Sequence, residues 1–112
     1  MVQEETLEQL FADRWELTDR IIDLSSQSGA EKEKIRRLVS QRDRVNATIR
    51  EVIDAEFVAS SSPALKKAIA ELGAESKTLK ELQTTIDSVD QVIDVAARVV
   101  ELAVTIIGLA AA

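Results

Sequence analysis

Residues 63–109 read PALKKAIAELGAESKTLKELQTTIDSVDQVIDVAARVVELAVTIIGL, and how this stretch is read decides the fold. Every third and fourth residue from Leu65 gives Leu65, Ala68, Leu72, Glu75, Leu79, Leu82, Ile86, Val89, Ile93, Ala96, Val100, Ala103, Ile107 and Ala110. That is a heptad seam in which Glu75 alone is polar, so the spacing predicts one long packed helix over 63–109. Gly73 costs about 1 kcal/mol against Ala inside such a helix, which so long a seam absorbs.

Working outward, Ser60, Ser61 and Ser62 lead into Pro63, the signature of a serine N-cap with proline at the first helical position, so the chain reverses there. Before the reversal, Thr6 and Gln9 read as a capping box opening a first helix with the seam Leu7, Leu10, Arg14, Leu17, Ile21 and Leu24. Phe11, Trp15 and Ile22 widen its stripe. Residues 25–29, Ser-Ser-Gln-Ser-Gly, form a cluster of weak helix formers, and Ser28 with Glu31 makes a second capping box. The seam nevertheless keeps heptad phase through this cluster as Leu24, Ser28, Glu31, Ile35, Leu38, Arg42, Val45, Ile49, Val52 and Glu56, which favours a kinked helix over a turn.

The expected fold is therefore all-α. It is a long antiparallel helical hairpin whose arm 6–59, kinked or broken at 25–29, returns as helix 63–109; the arms reach on the order of 70 Å at 1.5 Å per residue. The alternative is a three-helix up-down bundle. The hairpin sets the Phe11 and Trp15 stripe beside the apolar end of the returning helix, whereas the three-helix form leaves that end overhanging.

Residues 92–109 are apolar on most sides, so the hairpin calls for neighbours and self-association into a bundle is expected. The expected interface comprises Phe11, Trp15, Val99, Val100, Val104 and Ile107. Polar residues on the seams, Arg14, Arg42, Glu56 and Glu75, are candidates for fixing register, with Arg42 facing Glu81.

Charge is unevenly distributed. Residues 1–30 carry a net −5, residues 31–50 a net +4 and residues 51–112 a net −5. Lys32, Lys34, Arg36, Arg37 and Arg44 form a candidate electrostatic patch for an acidic protein partner. Nucleic acid is disfavoured, because the chain as a whole carries −6 and no aromatics interleave with the basic residues.

The chain has neither Cys nor His, which removes thiolate and imidazole chemistry. Asp87, Asp90 and Asp94 recur at helical spacing without the Glu-x-x-His pairing of di-iron bundles. No catalytic, cofactor-binding or metal-ligating set is expected. A single domain without enzymatic activity follows, acting as a structural or interaction module through helix association. The alternative is a membrane-active or lipid-surface protein using residues 92–112. The uncharged tail 102–112 is too short to span a bilayer, which takes about 20 residues. The N-terminus lacks a basic region followed by an apolar one, so a cytoplasmic location is the default expectation.

Overall fold

Apolar residues spaced by three and four along 112 residues that include one proline produce helices throughout. The computed structural model describes residues 2–27, 29, 31–55, 57, 62–82 and 88–111. It contains α1 (Val2–Ser25), α2 (Lys32–Asp54), α3 (Pro63–Glu81) and α4 (Val89–Ala111). The protein is all-α, and its helices pack lengthwise into a bundle with extents of 48 × 22 × 17 Å.

Each helix ends where its sequence stops supporting it. After α1 the backbone reaches φ +84° at Gly29, a left-handed conformation that glycine adopts without a Cβ penalty. The heptad phase running through residues 24–38 thus belongs to two helices that each turn a seam toward one core, and the 25–29 cluster is a break. Ser28 lies outside the described residues; Glu31 occupies the N-cap of α2 without a side-chain cap bond. Ser62 caps α3, accepting from the Leu65 amide, with Pro63 in its first turn as the sequence indicates.

Two features differ from the sequence expectation. First, α1 already begins at Val2, so Thr6 is no cap; it is fully buried within the helix. Second, helix 63–109 is divided, α3 ending at Glu81 and α4 starting at Val89. The sequence between these bounds includes Thr84, Thr85, Asp87 and Ser88, and such β-branched and short polar residues favour helix ends over interiors. The hairpin's arms therefore each fold in half, giving four helices instead of two.

Partner contacts fix the arrangement. The Gln3 amide donates to the Val52 carbonyl at 2.7 Å, so α1 starts where α2 ends. Ser76 bonds Asp13 and Arg20 bonds Leu79, so α1 and α3 run parallel. Lys34 lies 3.5 Å from Asp90 and places the starts of α2 and α4 at the same end. Both α1 and α4 pack on α2 and on α3, so α2 and α3 occupy opposite corners. Between these two helices in sequence, the half-buried Phe57 packs against the core.

The core runs the length of this square. From α4, Val89, Val92, Ala96, Val99, Ala103, Ile106 and Ala110 are all buried; Val89, Ala96, Ala103 and Ala110 match the expected seam, while Val92, Val99 and Ile106 each lie one residue before its members Ile93, Val100 and Ile107. Val95 and Val100 are buried beside them. The apolarity of residues 92–109 is thus accommodated within one chain, because α4 has helices on two sides and a corner of α1 on a third.

Candidate functional site

In α1 the buried positions are Thr6, Leu10, Asp13, Leu17, Arg20 and Leu24. Leu10, Leu17 and Leu24 match the expected seam, but its other members shift by one residue, from Leu7, Arg14 and Ile21 to Thr6, Asp13 and Arg20. Three polar residues at intervals of seven therefore enter the core. Two of them hold α1 to α3.

The Asp13 carboxylate accepts a 2.8 Å hydrogen bond from the Ser76 hydroxyl. Its pKa is raised to about 7, chiefly because burial disfavours the charged form; the Ser76 bond opposes the shift and the charge of Glu16 adds to it. The Arg20 guanidinium donates to the Leu79 carbonyl at 2.7 Å and to the Leu82 carbonyl, satisfying acceptors that the end of α3 leaves open. Burial lowers the Arg20 pKa, while the nearby Glu16 and Asp23 carboxylates oppose the shift.

Above these buried bonds a groove of about 450 Å³ opens between α1 and α3, lined by Ala12, Asp13, Trp15, Gly73, Ser76 and Lys80 among others. Gly73 helps to make it: a Cβ there would meet nothing within 4 Å. Trp15 stands at its edge with 64% of its surface exposed, and Ile22, seven residues on, is also exposed. A large indole in water is the least expected feature of this surface.

The six residues expected at an interface do not converge. Val99 and Val100 are buried in the core, Phe11 and Ile107 are half-buried against it, and Trp15 and Val104 are exposed on different helices. Among the polar seam candidates, Arg14 donates to Asn46 at 3.0 Å and lies 5.1 Å from the centre of the Phe11 ring, linking α1 to α2. Glu75 pairs across α3 and α4 with Arg98 at 3.2 Å. Arg42 lies 3.5 Å from Asp43 of its own helix, and Glu81 is 3.9 Å from Lys77, so these two do not face each other. Glu56 lies outside the described residues.

In the basic segment, Arg36 and Arg37 both engage Glu33, Lys34 reaches Asp90 and Arg44 donates to Gln41, while Lys32 is exposed. Much of the local positive charge is thereby paired on or near its own helix. Among the described residues, no three or more acidic side chains come together as a candidate metal site, and no helix is long and apolar enough to cross a membrane.

Asp13, Arg20, Gly73, Ser76, Lys77 and Lys80 were not candidates from sequence. For Asp13 and Arg20 the signal was the interval of seven that joins them to Thr6 in phase with the leucines, which conflicts with the ordinary rule that charges stay outside. Comparison with protein-family models, with curated proteins and with solved structures found no match to this chain.

Proposed function

We propose that this protein is a non-enzymatic interaction module that works through helix–helix association, as a scaffold, adaptor or assembly subunit. The reading is carried by Trp15 and Ile22. They are large, apolar and exposed, and their spacing of seven puts them on one outward stripe of α1. An outward apolar stripe on an otherwise acidic helix is what a partner helix buries. The buried polar groups Asp13 and Arg20 serve to hold α3 against α1, which keeps that stripe on a rigid support.

Sedimentation velocity with multi-angle light scattering tests the reading on the full chain, from about 1 to 100 µM, a span chosen to bracket ordinary subunit affinities. Concentration-dependent association supports it; a monomer throughout, with Trp15 emission unchanged, counts against self-association. A lipid-surface role would require α4 to leave the core that contains Val92, Val99 and Ile106. Vesicle flotation checks that alternative, and co-flotation dependent on residues 99–112 would favour it.

A further inference from the structure

The face formed jointly by α1 and α3 divides its charge by helix. On the α1 ridge stand Glu5, Glu8, Glu16, Asp19 and Asp23, with no basic residue among them. On the α3 ridge stand Lys66, Lys77 and Lys80, spaced so that all three lie on the flank toward α1. Between the ridges lie Ala12 and Gly73, whose small size leaves the groove open, with Trp15 beside it. Among the described residues no ion pair joins the two ridges; Glu16 lies 3.8 Å from Arg20, and Lys77 lies 3.9 Å from Glu81.

We infer that this α1–α3 face binds the same face of a second copy, related by a two-fold axis parallel to the helices. This deepens the proposed self-association by naming its surface and its geometry. The charge division selects the axis. Two copies meeting face to face about an axis across the helices would set α1 on α1 and α3 on α3, acid against acid and lysine against lysine. About an axis along the helices, α1 of one copy lies over α3 of the other, and every such contact is between unlike charges.

Such a rotation also preserves height along the bundle. Asp13 is level with Ser76, and Arg20 with the 79–82 end of α3, within one copy. The same levels then apply between copies. Asp19 comes level with Lys80 of the second copy, and Glu5 with Lys66. The two Trp15 side chains approach near the axis over the paired grooves, where the small residues leave room for them.

Two variants and their mixture provide the test. Glu5→Lys with Asp19→Lys puts lysines on the α1 ridge at the levels of Lys66 and Lys80; Lys66→Glu with Lys80→Glu puts acids on the α3 ridge at the levels of Glu5 and Asp19. All four positions are exposed, and Glu16 is left in place because it lies beside Arg20. Circular dichroism melting confirms that each variant is folded. Each alone should self-associate about tenfold more weakly or worse, since several exposed pairs turn from attraction to repulsion.

Mixing the two variants in equal amounts should restore assembly, because like charges face each other across the interface only in the homodimers. In the mixed dimer, the introduced lysines of one α1 meet the introduced acids of the other α3 on one side, and the original acids and lysines meet on the other, so association should return to near the wild-type level. The emission of Trp15, the one tryptophan of the chain, should shift to the blue on association and in the mixture, and not in either variant alone. If the full chain associates but neither variant weakens it, or the mixture fails to restore it, the assigned face is wrong while the interaction-module reading survives. If the wild-type chain is monomeric at every concentration, the assigned face and self-association both fall.

Discussion

Asp13 sits where the helix pattern allows no solvent, and its carboxyl responds to pH accordingly. Its pKa is about 7 in the fold and near 4 in an unfolded chain. Between those values the folded chain holds a proton that the unfolded chain has released, so this group's contribution to stability is fully present below about pH 4, falls as pH rises through about 7, and is level above that. The difference is on the order of 2–4 kcal/mol. Asp13→Asn, which keeps an acceptor for Ser76, should therefore stabilise the protein at pH 8 and change it little at pH 4. Urea unfolding of both proteins at the two pH values checks this, and an equal effect at both would show that Asp13 ionises normally. Arg20 poses the converse case. Arg20→Met keeps the length of the side chain but leaves the Leu79 and Leu82 carbonyls without their donor, and should cost about 2–4 kcal/mol in the same measurement.

At the scale of the element, helix ends decide the architecture. Glu31 already has the extended backbone of an N-cap, φ −80° and ψ 123°, but its side chain makes no cap bond. Glu31→Asp preserves the charge and shortens the side chain to capping length, so thermal melting should show a gain of about 0.5–1 kcal/mol. The same logic explains why the 63–109 seam misled. Leu82, Ile86 and Val89 keep heptad spacing, yet Thr84, Thr85, Asp87 and Ser88 lie among them, and Arg20 receives the end of α3 from the neighbouring helix. A seam records which residues can face a core; it does not record whether one helix or two present them.

For the whole molecule, the square of four helices makes α4 a shared wall. Ending the chain at Asp94 removes Val95, Val99, Val100 and Ile106 from the core. Each is worth about 1.5–3 kcal/mol of burial, which together rivals the roughly 5–15 kcal/mol of total stability typical of a domain. The shortened chain should lose its cooperative melting transition rather than merely dissociate. A retained sharp transition would mean that the second half of α4 is dispensable to the fold.

By itself the sequence determined the helical class, the reversal at Ser62 and Pro63, and the burial of Leu10, Leu17, Leu38, Val45, Leu65 and Leu72, because local propensity and periodicity act over a few turns and need no partner. It also singled out Trp15, though for the wrong neighbours. Only the tertiary structure decided that Thr6, Asp13 and Arg20 face inward, that α2 and α3 stand at opposite corners, and that acids and lysines flank one groove. A one-residue rotation of a helix exchanges seam and flank at little local cost. What fixes it is the fit to other helices: a hydroxyl at Ser76 for Asp13 and open carbonyls at the end of α3 for Arg20.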